Sequence, residues 1–299
     1  PLGSHRVSQD APLIRSGQDT ATIWARVEKH NRQAQVELTI NYPGANKVVL
    51  NNSPLSKPRD ILGLVTTVIF SPEDLELVKG EPSARRRFID ELSTSLTPKF
   101  SNTRSDFERT LKQRNTLLKS LGRRSPSPQA RATLDAWSEQ LIQHGTEIIF
   151  TRLENIKRIV PHVSEFGKTI SGDTEPLYLS YLNNWLPTQA TTKNEITNLF
   201  KTELETRRKD EIDRGTTLVG PHRDDVNIQL SNLPAKGYAS HGQSWSIAIA
   251  LRLAAFKTLR EHDDDPILIL DDVFAELDEK RRTRLISIIS DVEQTLITA

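Results

Sequence analysis

The chain has 299 residues, a formal net charge of +1, 36% hydrophobic residues, no cysteine and, unusually for this length, no methionine. Such a length suits one or two domains with a sizeable core, and the lack of cysteine excludes a disulfide framework and cysteine metal sites. No apolar run approaches the length that spans a bilayer and no secretory signal is visible, so a cytoplasmic protein without a membrane partner is expected.

Residues 18–70 alternate in short runs, Thr22–Val27, Gln35–Ile40, Lys47–Leu50 and Gly63–Phe70, punctuated by Gly, Pro and Asn as in a β-meander. Ser71-Pro72-Glu73-Asp74 reads as a helix N-cap with acids in the first turn. Residues 83–210 read as helices. Leu134, Trp137, Leu141, Ile148, Leu153 and Ile156 recur at three-to-four spacing, which predicts a long amphipathic helix stopping at Pro161. A shorter helix carries Ile196, Leu199, Phe200 and Leu204, and Leu121–Gln129, LGRRSPSPQ, is a Pro/Ser/Arg loop. From Thr216 onward strand and helix alternate: strands at 217–219 and 226–230, a helix over 243–260, a strand at 267–270, a helix over 277–290 and a strand at 295–298. No internal repeat is visible.

Within that last part lies the densest chemistry. Ile267–Leu270 form a short buried strand that delivers two adjacent carboxylates, Asp271 and Asp272, to its C-terminal edge, where open α/β sheets place groups at a ligand crevice. In phosphate chemistry the first such acid holds Mg²⁺ and the second positions a water. Ser240-His241-Gly242-Gln243 opens the apolar helix of Trp245, Ile249, Leu253 and Phe256, and a helix N-terminus of that kind suits a phosphate. Each piece has a plainer reading: a capped strand with solvated acids, and a serine N-cap. Their order, followed by Glu276-Leu277-Asp278, favours a nucleotide site. Gly220–Asp225, GPHRDD, sets a histidine beside two acids, but the spacing matches no known ligand set, and a structural or DNA-facing turn is the preferred reading.

Charge is unevenly spread. Glu76–Arg131 holds thirteen Lys/Arg against six Asp/Glu, a balance of +7, whereas Glu261–Glu279 holds nine acids and no Lys or Arg, a balance of −9. The acidic block needs a cation before it can meet phosphate, which fits Mg²⁺ at Asp271. The basic block, with Lys79 and the run Arg85-Arg86-Arg87, suits a DNA backbone; for any one arginine a solvated helical face is the plainer reading.

The order SHGQ, LILDD, AELD resembles the signature, Walker B and D-loop motifs of ABC-type ATPase heads. Longer phrases narrow it: GSHRVSQDAPLIR (Gly3–Arg15), FSPEDLELVKGEPSARRRFIDE (Phe70–Glu91), LVGPHRDDVNIQL (Leu218–Leu230) and KGYASHGQSWSIAIALRLAAF (Lys236–Phe256) are similar to the RecF family. The resemblance implies an α/β ABC-type ATPase head with an inserted helical arm: residues 1–75 the β-rich part of the head, 76–210 the arm, and 211–299 the part with signature and Walker B. It also implies ATP and Mg²⁺ as cofactors, with Asp271 on the metal, Asp272 catalytic, and Ser240, Gly242, Gln243 and Asp278 binding nucleotide across an ATP-dependent homodimer. Lys79, Arg85, Arg86 and Arg87 would contact single-stranded, gapped or double-stranded DNA, in recombinational repair and SOS induction with RecO- and RecR-type mediators.

Two departures qualify this. Asp272 stands where many relatives carry Glu, and its shorter reach implies slow hydrolysis. The Walker A loop, G-x-x-x-x-G-K-[ST], occurs nowhere in the 299 residues. With a start, Pro-Leu-Gly-Ser, that looks like the remnant of a cleaved tag, this leads us to expect an upstream segment outside this sequence, and to expect that the chain by itself is a weak or inactive ATPase. His5-Arg6 follows the missing element, and Thr298 is the last candidate for the switch position near the γ-phosphate. Two alternatives stand beside this reading: a non-enzymatic scaffold for DNA or a RecR-type partner, and an SMC-like chromosome-structuring head. Against the latter, no heptad stretch is long enough for a coiled coil.

Overall fold

The computed structural model describes residues 9–29, 32–122, 127–171, 175–187, 192–262, 265–274 and 276–298. Residues 3–8 of the first family-like phrase, with His5 and Arg6, lie outside these, as do Arg123–Pro126 of the Pro/Ser/Arg loop. In chain order the elements are β1 (Thr20–Lys29), β2 (Arg32–Asn41), β3 (Lys47–Leu50), β4 (Ser53–Pro54), β5 (Thr67–Phe70), α1 (Leu75–Lys79), α2 (Pro82–Leu96), α3 (Phe100–Leu121) and α4 (Pro128–Ser171). They continue with β6 (Leu177–Leu182), α5 (Lys193–Arg214), β7 (Asp225–Leu230), β8 (Leu233–Pro234), the short turn α6 (Ala235–Tyr238), α7 (His241–Arg260), β9 (Ile267–Leu270), α8 (Glu279–Ile289) and β10 (Thr295–Ile297). The chain divides into two packed units, 1–74 with 259–299 and 75–258.

In the first unit β1–β4 form an antiparallel meander in sequence order. Val36, Ile40 and Val48 are its buried side chains. The stretch Gly63–Phe70, expected as a further meander strand, behaves differently. Only Thr67–Phe70 is a strand, and it pairs in parallel with β9, Ile69 opposite Ile269, in a second sheet ordered β10-β9-β5. The composition explains this: β5 and β9 are apolar on both faces, as strands of a covered parallel sheet are, whereas meander strands alternate.

In the second unit α3, α4 and α5 pack around Phe107, Leu141, Ile148, Ile196 and Phe200. Gly145 of α4 makes this approach possible: a Cβ there would stand 2.5 Å from the Phe200 ring. Contrary to the expected stop, α4 runs through Pro161 to Ser171. Proline costs a helix interior about 3 kcal/mol. Beyond it Val163, Phe166 and Ile170 continue the buried stripe, and burying each such side chain returns roughly 1.5–3 kcal/mol. The all-helical reading of 83–210 also missed β6, which pairs antiparallel with β7, Leu179 opposite Ile228. Conversely, 217–219 is not a strand. Its backbone N–H groups are taken by side chains, Thr217 by Asn115 Oδ1 at 2.7 Å and Leu218 by Glu211 Oε1 at 2.8 Å, so no ladder is needed.

Candidate functional site

The acid-bearing turn of the first unit is built by β9 and its two neighbours. Directly after β9, Asp271 N–H donates to Phe70 O at 2.9 Å. The Asp271 carboxylate is 7% exposed and accepts a hydrogen bond from Thr298 Oγ1 on Oδ1. Asp272 is exposed, holds a left-handed backbone (φ 51°), and donates its N–H to the same hydroxyl at 3.2 Å. Aspartate is among the few side chains that occupy this region readily, and strained backbone gathers where groups must be aimed. Thr298, placed by its own N–H on Leu270 O at 3.0 Å, therefore links both acids. Two adjacent carboxylates and a hydroxyl are hard oxygen donors of the kind that suit Mg²⁺, which takes one or two carboxylates and completes its shell with water and phosphate. Among the described residues no cluster of three or more His, Cys, Asp or Glu could hold a metal by protein ligands alone.

Asp278, expected at nucleotide, caps α8. Its carboxylate accepts Arg281 N–H at 2.9 Å and Arg281 Nη1 at 3.0 Å. The backbone hydrogen bond is the main reason that its pKa lies below the ordinary carboxylate range.

In the second unit Ser240 and Gln243 close a reciprocal cap on α7. Gln243 N–H donates to Ser240 Oγ at 3.2 Å, and Ser240 N–H donates to Gln243 Oε1 at 2.7 Å. Gln243 Nε2 donates in turn to Glu175 Oε1. Gly242 is half-buried between them, and Trp245, Ile249, Leu253 and Phe256 anchor the helix in the core. His241 ties a further residue to this loop: Lys79 Nζ lies 3.2 Å from its Nδ1, and Trp245 Nε1 donates to its Nε2 at 2.9 Å. Lys79, grouped with the arginines from the sequence, thus stands at the Ser240–Gln243 loop.

The Arg85-Arg86-Arg87 run separates by helical position. Arg85 is 6% exposed and grips Asp225 with two hydrogen bonds, 2.8 Å from Nε and 2.9 Å from Nη2, while Nη1 donates to Leu77 O and Gly80 O. Its expected role at DNA is corrected: the fork that would hold a phosphate is spent inside the fold. Arg86 Nη1 donates to Asp224 O at 2.7 Å, and Arg87 is exposed.

Around them lies a buried polar network that the sequence reading did not anticipate. Arg152 donates to both oxygens of Asp90, at 2.8 and 2.9 Å, and to Pro221 O at 2.7 Å. Arg114 joins Glu211 at 2.6 Å and Thr217 at 2.7 Å. Asp224 accepts from Tyr181 Oη and Asn183 Nδ2. Burial pushes Asp224 up to about 6 and raises Tyr181 well above its ordinary value, and burial drives His222 down to about 4. The turn Gly220–Asp225 is therefore structural, with its acids answered by protein donors. A signal existed in the sequence: Arg114 and Arg152 fall on the apolar stripes of Leu111/Leu118 and Ile148/Ile156, where a charge must find a partner.

No family model matches the chain. It is 46% identical over 301 residues to the DNA replication and repair protein RecF of Streptomyces avermitilis, covering 100% of this chain and 80% of that protein. A solved structure of the recombination mediator protein RecF with ATP, in the RecFOR pathway, superimposes with a TM-score of 0.90 at 27% identity over 99% of this chain and 79% of that one. The Smc head domain from Pyrococcus yayanosii shares the fold alone, with a TM-score of 0.51 at 12% identity over 98% of this chain and 80% of that one.

Proposed function

Because the chain belongs to the RecF family of DNA replication and repair proteins, we propose that it is an ATP-dependent DNA-binding protein of recombinational repair, dimerising on ATP at gapped DNA. The observation that carries this reading is the Asp271–Thr298–Asp272 turn at the C-terminal edge of a parallel sheet. Asp271 is the residue to hold Mg²⁺, and Asp272, exposed beside it, the one to orient water for slow hydrolysis of ATP bound with the metal. Ser240 and Gly242, with Gln243 bracing them and Asp278 in the following turn, would face nucleotide carried by a second copy of the chain. In this reading 1–75 and 211–299 serve as the ATPase head and 76–210 as the arm. Lys79, Arg86 and Arg87 remain the cations for the DNA backbone, with RecO- and RecR-type mediators as partners in the cytoplasm and SOS induction as a downstream consequence.

The test is sedimentation of the native full-length protein with and without Mg-ATP, together with binding to gapped DNA across a salt series. ATP-dependent dimers with salt-sensitive DNA binding support the reading; a protein that stays monomeric with ATP overturns it. A second reading is a DNA- or partner-binding scaffold without ATPase activity. It predicts salt-sensitive DNA binding that ignores ATP.

A further inference from the structure

Gln243 makes two hydrogen bonds of opposite polarity, and only one orientation of its amide satisfies both. Its Oε1 accepts Ser240 N–H at 2.7 Å, while its Nε2 donates to Glu175 Oε1. An ionised carboxylate accepts and never donates, so Glu175 dictates which end of the amide turns towards it. The carbonyl end is thereby left for Ser240, completing the cap whose other half is Gln243 N–H on Ser240 Oγ. Glu175 stands between the end of α4 at Ser171 and the start of β6 at Leu177, part-buried, so the chain that leaves the longest helix also braces the signature loop.

We propose that Glu175 is a positioning residue for Ser240: by fixing the amide of Gln243 it sets the geometry with which Ser240 meets the phosphates of nucleotide held by a second copy, and it couples that loop to the end of α4. This rests on the nucleotide reading above. With the carboxylate replaced by a donor, the Gln243 amide turns over to accept from it and sets N–H against the N–H of Ser240. The cap then keeps one hydrogen bond of its two, and Ser240 loses its fixed geometry.

The experiment compares three variants of the native full-length protein with the wild type. Glu175→Lys presents only donors, Glu175→Gln can still accept, and the double variant Glu175→Lys with Gln243→Glu restores the pattern, since a carboxylate at 243 accepts from both Ser240 N–H and the new ammonium. Two measurements are made: ATP-dependent dimerisation by sedimentation, and amide hydrogen exchange at Ser240 without nucleotide. Glu175→Lys should weaken dimerisation by about tenfold per loop, as loss of one charge-assisted hydrogen bond implies, and speed exchange at Ser240. Glu175→Gln should stay within about twofold, the double variant should recover slow exchange at Ser240, and binding of ATP to the monomer should be unmoved in the two single variants. A wild-type protein that never dimerises with ATP overturns the nucleotide reading. Unchanged exchange at Ser240 in Glu175→Lys, or no recovery of slow exchange at Ser240 in the double variant, overturns the role of Glu175 whatever the nucleotide does.

Discussion

Asp224-Asp225 and Asp271-Asp272 are the same dipeptide in two surroundings. Both carboxylates of the first pair are taken up by the fold, Asp224 by Tyr181 and Asn183 and Asp225 by Arg85. In the second pair Asp271 accepts from the Thr298 hydroxyl, and Asp272 is turned out to solvent on a left-handed backbone. A buried carboxylate that loses its partners costs several kcal/mol, so the first pair is committed to structure. An exposed one costs little and stays available to a ligand. The difference separates acids that hold this protein together from acids that can act.

The comparison breaks first if the buried network is expendable. Arg152→Met leaves Asp90 with Arg104 at 4.0 Å as its remaining ion-pair partner among the described residues, and should lower the free energy of unfolding by about 3–5 kcal/mol, read as a shift in the urea midpoint; a change within about 0.5 kcal/mol, the size expected of a surface substitution, would contradict it.

Titration sharpens it next. Asp224 is raised to about 6 in the fold, so the folded state holds its proton more tightly, and the stability that this contributes below pH ~4 is lost as pH rises through 6. His222, lowered to about 4, does the reverse: the fold disfavours its charged form, and stability is gained as pH rises from 4 to about 6.5. The two slopes oppose each other over one window, each on the order of 3 kcal/mol. Unfolding free energies between pH 4 and 6.5 should therefore be nearly flat in the wild type, rise with pH in Asp224→Asn, and fall with pH in His222→Gln.

For the second pair, Asp272→Asn keeps a side chain that tolerates positive φ. It should cut ATP hydrolysis by the full-length protein about 10²-fold or more while leaving the urea midpoint in place. Equal loss of stability would move Asp272 into the structural class. The smallest effect separates neighbouring arginines: Arg87→Ala should leave stability within about 0.5 kcal/mol and reduce the salt slope of DNA binding by about one, whereas Arg85→Ala should destabilise the fold.

Much of this was legible locally. Four apolar residues followed by acids announced β9 and its turn, and Ser-x-x-Gln before an apolar stripe announced the start of α7, because strand burial and capping are set by residues within a few positions of one another. The extent of α4 was not, since Pro161 is a stop signal in isolation and only the buried side chains beyond it outweigh the lost hydrogen bond. Nor was β6, whose partner strand lies beyond α5, or the fate of Arg85, Arg86 and Arg87, which three adjacent letters cannot tell apart.

By itself, then, the sequence determined the elements whose partners are close along the chain, together with the motif order that ties the chain to its family. Which charges are structural was decided only by the tertiary fold. Arg85 finds Asp225 140 residues away, Arg114 finds Glu211 97 away, and Arg152 finds Asp90 62 away. A charge is desolvated by everything packed around it, so its energy is a property of the packed structure, whereas a helix cap or a short apolar strand is a property of a few adjacent residues.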